Sequence, residues 1–453
     1  MRTDPLPRTC IIGAGSSGIT AAKALRDAGA AYDHFEASDR VGGNWAFENP
    51  NGMSSAYDTL HINTSRERMS YADFPMPKSF PTFPHHSHIN RYFNDYVDRF
   101  DLRGGITFNT LVTHCVPTDG GGWNVILDSG ESHRYDALIV ANGHHWDPRW
   151  PEPDFPGEFS GQKLHAHHYV RAEQVKDKRV VVIGMGNSSM DIATVASYVG
   201  VSATVAARNA AHIIPKWWFG KPLDQWVTIP LLHVVPWRWA QASMNLMVTL
   251  ARGPLSRYGL PEPDHGLMQS HPTVSSDFPV RAGHGAIDVR PNVQRFDGDR
   301  VVFTDGSSVQ ADLVIYATGY NITFPFFDDQ VIAVKDNNIG LFRNVVDPDR
   351  PTLFFVGLAQ PLGAIMPIAE RQSQWIAGVL SGRIHLPPRQ VMVDQIAKSR
   401  QAMQQRYRRS VRHTIQVDFD DYMFDLRLEM WRGRRRATRA GHTLQIPATV
   451  SGT

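Results

Sequence analysis

The sequence predicts an α/β chain with two parallel-sheet folds, the second inserted in the first and itself interrupted by a mainly helical segment. Three observations lead there. Two short apolar runs, 8–12 and 179–183, each enter a glycine turn and then a helix-like segment. Each unit leads on to a second strand-like run that ends in a charge, Glu36 in the first and Arg208 in the second. Apolar runs return at 313–316 and 353–358, so the chain closes the second fold and then rejoins the first.

At 453 residues the chain is long enough for two or three domains. The divisions expected are 1–150 for the first part of one fold, 151–320 for the inserted fold and 321–453 for the return. Basic and acidic residues nearly balance, 46 against 44, so no polyanion partner is implied. Two cysteines, Cys10 and Cys115, supply no disulfide framework, no CxxC pair and no metal cluster. The segment 1–9 has no apolar stretch of the signal-peptide kind, which makes a cytoplasmic location the default expectation.

The first unit runs from the strand at 8–12 into Gly13-Ala14-Gly15-Ser16-Ser17-Gly18 and an Ala-rich helix with a stop at Gly29. The first glycine of such a motif makes the turn. The second lets backbone N–H groups approach a pyrophosphate at the helix N-terminus. Glu36 lies 23 positions past Gly13, where a carboxylate is expected on a ribose hydroxyl pair. Together these features predict a Rossmann-like dinucleotide-binding domain.

The second unit, Gly184-Met185-Gly186-Asn187-Ser188-Ser189, repeats the pattern, with Ser189 where Gly or Ala is usual. Arg208 stands 24 positions past Gly184. An acid repels a 2′-phosphate, whereas an arginine can pair with it bidentately. A solvated surface arginine is the alternative. The natural assignment places FAD in the first site and NADPH in the second, with the two reactive rings meeting between domains.

Just ahead of the second unit, Phe159-x-Gly161-x-x-x-His165-x-x-x-Tyr169 has a spacing that no simple physical rule predicts. It resembles the signature of class B flavin-dependent monooxygenases in the form that ends in Phe or Tyr. Val170 departs from the Lys or Arg that usually follows, and Arg171 comes one place later. Gly42-Gly43-Asn44-Trp45 resembles the Gly-Gly-x-Trp of the same enzymes, with glycines for close approach to the cofactor and Trp45 to wall its rings. His61-Ile62-Asn63-Thr64-Ser65-Arg66-Glu67 resembles the Asn-(Ser/Thr)-Ser-Lys-Glu segment of amine- and sulfide-oxygenating members, whose Asn faces flavin and nicotinamide. The resemblance gives that role to Asn63, beside Thr64; read as residues alone, the run is a turn or helix cap.

The run 137–140, before Ala141-Asn142-Gly143, and the run 313–316, before Ala317-Thr318-Gly319, read as buried strands. By resemblance the turn at Thr318 and Gly319 marks a chain crossing between cofactor domains; two ordinary parallel strands fit as well. The stretch 226–250 is strongly apolar, yet Pro230, His233, Pro236, Arg238, Gln241 and Asn245 deny it a membrane span. A helical insertion over about 220–265 is expected to cover the cofactor cleft or form a homodimer contact, with shallow membrane-surface contact as second choice. A helix beginning near Pro367 carries Gln372, turned to the flavin by resemblance and on a solvated face otherwise. The basic tail reads as a solvated face, and no nucleic-acid motif accompanies it.

The resemblance covers most of the chain and implies a class B flavin-containing monooxygenase. In that family NADPH reduces FAD, O₂ adds to give a C4a-hydroperoxyflavin, and one oxygen atom passes to a soft nucleophile, an amine nitrogen or a sulfide sulfur. A Baeyer–Villiger enzyme acting on ketones, an NADPH oxidase or electron-transfer flavoprotein, and a non-catalytic nucleotide-binding partner are the alternatives. Tyr169, where Baeyer–Villiger enzymes usually carry Trp, leans against the first.

Overall fold

The structure, a computed structural model, describes residues 5–226, 237–267, 269–406 and 414–448. Pro230, His233 and Pro236, three of the expected breaks in the insertion, lie outside the described residues. In chain order the strands of the two main sheets are β1 (Thr9–Ile12), β2 (Tyr32–Phe35), β3 (Ile106–Thr107), β4 (Ala137–Val140), β5 (Gln162–His165), β6 (Arg179–Ile183), β7 (Ser202–Ala206), β8 (Asp288–Arg290), β9 (Leu313–Tyr316) and β10 (Leu353–Phe355). The helices that matter most are α1 (Ser16–Ala28), α2 (Asn187–Val199), α3 (Trp237–Arg252), α4 (Met366–Leu380) and α5 (Phe419–Arg439).

Among the described residues, one compact unit takes the chain up to Ser54, then 66–145, then everything from Ile322 on. The other takes 55–65 and 146–321. Each is built on a five-stranded sheet, all parallel, in the orders β10-β4-β1-β2-β3 and β8-β7-β6-β9-β5. The fold is therefore α/β with two Rossmann-like sheets, the second inserted in the first. Residues 55–65 are the departure from the divisions expected: they sit in the second unit, although they fall inside the first stretch of chain.

The central strands are apolar on both faces, and that selects a parallel sheet covered by helices on both sides. All four residues of β1, β4 and β9 are buried, as are Val180, Val181, Val182 and Ile183 of β6. In the first unit Ile11, Ile139 and Phe354 pack with Trp375 and Ile376 of α4 and Leu426 of α5. In the second, Val182, Val205 and Ile315 pack with Ile192 of α2 and Phe278. Each buried side chain of this kind contributes about 1.5–3 kcal/mol.

Register lines up the exits of the strands. Ile12 pairs with Phe35 on one side and Val140 on the other; Ile183 pairs with Ala206 and Tyr316. Each glycine turn therefore leaves its sheet at the same edge as the neighbouring strands, the edge where open α/β sheets bind ligands. Where it is described the insertion is helical over Leu223–Gln225, Trp237–Arg252 and Leu255–Tyr258, with Lys221–Pro222 a short strand, and α3 exposes Trp239, Leu246 and Leu250. No helix among the described residues is long and apolar enough to cross a membrane.

Candidate functional site

In the first unit the glycine turn is made by contacts that leave no room for side chains. Gly13 has φ +97°, and a Cβ on it would stand 2.7 Å from the Ala141 carbonyl oxygen. A Cβ on Gly18 would stand 1.7 Å from the Gly13 carbonyl oxygen, so α1 starts hard against the turn. Gly15 caps α1 with no side-chain hydrogen bond, and the first turn of the helix carries no acid. Its backbone N–H groups thus lack a side-chain acceptor, which suits a pyrophosphate.

Glu36 ends β2 and is buried. Its carboxylate accepts the Ala14 N–H at 2.5 Å and the Ser38 N–H at 2.8 Å. Burial raises its pKa and the two N–H bonds oppose that rise. A carboxylate offers about four acceptor positions, so it keeps capacity for hydroxyl donors. Two neighbours that sequence reasoning missed brace the same turn. His34 Nε2 donates to the Gly13 carbonyl at 2.8 Å, and the Tyr71 hydroxyl donates to the Ser16 carbonyl at 2.8 Å. Neither residue is a motif position, so nothing in the sequence marks either.

Gly42, Gly43, Asn44 and Trp45 lie on the turn. The Gly42 N–H donates to the Ala14 carbonyl at 3.2 Å, and a Cβ on Gly43, at φ +53°, would stand 3.0 Å from the Gly15 Cα. The Asn44 carbonyl accepts the Ser54 hydroxyl, and Trp45 stays half-buried. Ser17 is buried against Gly357, where a Cβ would stand 2.1 Å from the Ser17 Oγ. Gln372 corrects the sequence expectation. Its side chain is neither solvated nor open to a flavin: it is 0% exposed. Its Oε1 accepts the Gly357 N–H at 2.9 Å and its Nε2 donates to the Tyr422 hydroxyl at 2.6 Å. It reaches the glycine turn only through Gly357.

The second unit repeats the construction. Gly184 has φ +125°, and a Cβ on it would stand 2.5 Å from the Ala317 carbonyl oxygen. Gly186 caps α2 with no side-chain hydrogen bond and no acid in the first turn. Ser189 is tolerated in the small-residue position because its hydroxyl donates to the Gly184 carbonyl at 2.7 Å; being 0% exposed, its side chain has no surface left for a cofactor. The Asn187 Oδ1 is occupied by the Val274 N–H at 2.9 Å, while Ser188 remains half-buried. Arg208 follows β7 and is exposed.

The signature ahead of β6 now has a physical reading. Gly161 admits no side chain, since a Cβ would stand 2.6 Å from the Asp312 carbonyl oxygen. That close approach lets β5 pair with β9, which sets His165 opposite Tyr316. His165 is buried, with its pKa lowered to about 4 by burial first and the neighbouring histidines second. Its Nε2 lies 3.5 Å from the Thr318 hydroxyl, so the motif buttresses the Thr318-Gly319 turn. Tyr169 packs its ring 5.7 Å from that of Tyr57.

Tyr57 opens the loop that carries Asn63. Its hydroxyl donates to the Asp191 carboxylate on α2 at 2.5 Å. Farther along, the Ser65 N–H donates to Asp224 at 2.6 Å, Gln225 donates to the Ser65 hydroxyl at 3.2 Å, and Lys216 reaches the Ile62 carbonyl at 3.5 Å. Burial raises the Asp191 pKa and lowers that of Lys216, each partly offset by the other's charge. The loop is anchored on both sides of Asn63. The Asn63 amide itself is half-buried and makes no hydrogen bond among the described residues; Thr64 beside it is buried.

Both turns thus fit a dinucleotide: uncapped helix N-termini, glycines that a Cβ would block, and an acid after one second strand against an arginine after the other. The donor set suits no metal, and no cluster able to hold one occurs among the described residues.

Comparison with known proteins agrees with that chemistry. The flavin-binding monooxygenase-like family model matches residues 7–432. Flavin-containing monooxygenase 5 of Homo sapiens is 36% identical over 440 residues, 92% of this chain and 82% of that protein. Flavin-containing monooxygenase 3 of Oryctolagus cuniculus is 33% identical over 444 residues, with the same coverage of both chains. Among solved structures, S-allyl-L-cysteine S-oxygenase from Allium sativum superimposes with a TM-score of 0.71 at 25% identity, covering 96% of this chain and 91% of that one. Cyclohexanone monooxygenase from Rhodococcus, bound to NADP+, shares the fold with a TM-score of 0.70 at 17% identity, covering 96% and 99%.

Proposed function

Since the chain belongs to the flavin-binding monooxygenase-like family and depends on FAD and NADPH, we propose that it oxygenates soft nucleophiles, amine nitrogens or sulfide sulfurs. Bound FAD, reduced by NADPH, supplies the activation of O₂: one oxygen atom goes to the substrate and the other leaves as water. The observation that carries the cofactor assignment is the contrast between Glu36 and Arg208 after two turns of the same construction. The acid accepts ribose hydroxyls and repels a 2′-phosphate, and the arginine attracts one.

Gly15, Ser17 and Gly18 hold the FAD pyrophosphate through backbone N–H groups, Gly13 makes the turn with its own N–H on the Phe35 carbonyl, and Gly43, Asn44 and Trp45 form one wall of that site. Gly186, Asn187 and Ser188 do the same for NADPH, Gly184 makes the turn with its N–H on the Ala206 carbonyl, and Thr318 and Gly319 close the turn beside them. Asn63 is the donor beside the oxygen that transfers. Support for that role comes from an uncommitted amide on a loop fixed at Tyr57, Ile62 and Ser65, since a donor held in place before reaction stabilises developing charge without reorganisation.

The substrate class rests on the Asn63 segment and on likeness to enzymes named for N- and S-oxygenation. Turnover of purified protein with NADPH, air and a panel of one sulfide, one tertiary amine and one cyclic ketone tests it. Sulfoxide or N-oxide is the expected product. Lactone from the ketone, with neither of the others, contradicts it.

A further inference from the structure

Three arginines stand at the exit edge of the second unit's sheet. Arg290, which ends β8, is neutralised by Asp288 at 2.6 Å. Arg208, after β7, and Arg149, beside the Thr318-Gly319 turn, have no carboxylate within ion-pair distance among the described residues. Arg149 is half-buried and fixed by three bonds to that turn. Its N–H donates to the Gly319 carbonyl at 3.0 Å, its guanidinium donates to the Thr318 carbonyl at 2.8 Å, and its own carbonyl accepts the Thr318 hydroxyl at 2.5 Å. Only part of the five-donor guanidinium is used in this way.

Of those three bonds one holds the side chain, the guanidinium on the Thr318 carbonyl. Burial depresses the Arg149 pKa, and the positive charge of Arg208 depresses it further. β7 and β9 flank β6, so Arg208 after β7 and Arg149 on the turn after β9 stand on either side of the Gly184 turn; with no acid paired to either among the described residues, and the half-buried Arg149 guanidinium held on the Thr318 carbonyl, they form a site that an anion stabilises. It lies at the strand-exit edge that carries the Gly184 turn, where a dinucleotide's adenosine end is expected.

We propose that Arg149 is a second ligand, together with Arg208, for the 2′-phosphate of NADPH, so that two guanidinium groups share the discrimination against NADH. This rests on the assignment of the second turn to NADPH. The half-buried Arg149 fixes the phosphate's position, and the exposed Arg208 covers it from the solvent side.

Calorimetric titration of the FAD-loaded full chain with adenosine 2′,5′-bisphosphate and with 5′-AMP tests this without turnover. Arg149→Met is expected to weaken the bisphosphate about 10- to 100-fold, the range for a lost charge-assisted hydrogen bond, and to leave 5′-AMP within about twofold. Arg149→Lys recovers part of the loss. Bisphosphate binding unchanged in Arg149→Met, while Arg208→Met weakens it, overturns the role of Arg149 and leaves the NADPH site standing. Equal loss on both ligands overturns it too, because Arg149 then only supports the turn. A wild-type chain that binds the two ligands equally well overturns the site assignment and the proposal with it.

Discussion

Gly184 lies against Ala317 so closely that a Cβ on the glycine would stand 2.5 Å from the alanine carbonyl oxygen. Gly13 and Ala141 repeat the relationship at 2.7 Å. In both units the turn after the first strand is packed on the exit of the adjacent parallel strand. The two positive φ values, +97° and +125°, follow from that packing rather than from loop freedom.

Gly184→Ala is therefore expected to cost about 1–3 kcal/mol in overpacking and strain, and to weaken NADP+ binding at least about tenfold with flavin retained. Gly13→Ala is expected to do the reverse and elute without flavin. The flavin-to-protein absorbance ratio and an NADP+ titration check both. Two variants that each keep both cofactors would contradict the shared construction.

Asn63→Ala removes the only amide on its anchored loop that has no partner among the described residues. NADPH consumption is expected to continue, with at least about tenfold more of it ending as H₂O₂, below the roughly 100- to 1000-fold that losing one oxyanion-type donor costs in rate. Peroxide is measured against oxygenated product in the same reaction. An unchanged ratio removes Asn63 from the catalytic group.

Tyr57→Phe leaves the loop in place but takes the donor from the half-buried Asp191 carboxylate. A hydrogen bond to a charged group contributes about 1.5–3 kcal/mol, so a loss of that order is expected in urea unfolding. The leak to H₂O₂ is expected to rise as well, though less than in Asn63→Ala. Stability lost with no rise in leak would mean that Tyr57 serves the fold alone.

His34 and His165 are both 0% exposed, with pKa values lowered to about 4. Below the ordinary histidine pKa of about 6.5 the unfolded chain takes up protons that the folded chain refuses, so stability falls as pH drops from 6.5 towards 4. Each histidine contributes a slope of about 1.4 kcal/mol per pH unit in that window. Unfolding free energies at pH 7 and pH 5 should show a slope shallower by about one proton in His165→Gln. An equal slope in wild type and variant would contradict it.

What the sequence made legible was local. A strand, a glycine turn and a helix follow one another within about twenty residues, so β1 and β6 and their turns could be placed from pattern alone. The opposite charges at Glu36 and Arg208 were readable for the same reason. Contacts across long separations were not. Tyr57 meets Asp191 from 134 residues away, and Arg149 meets Thr318 from 169. The tertiary fold alone brings these together, and neither side chain has a motif around it. Gln372 shows the opposite failure. The resemblance turned it to the flavin and the residue alone read as solvated, whereas the Gly357 N–H and the Tyr422 hydroxyl hold it inside.

The most direct measurement of the oxygenase claim is turnover under ¹⁸O₂, with NADPH oxidation and product mass followed together. The expected result is one ¹⁸O atom in each sulfoxide or N-oxide formed, with about one NADPH oxidised per product. NADPH oxidation accounted for wholly by H₂O₂, with no labelled product from sulfide, amine or ketone, would contradict it and leave an NADPH oxidase in its place.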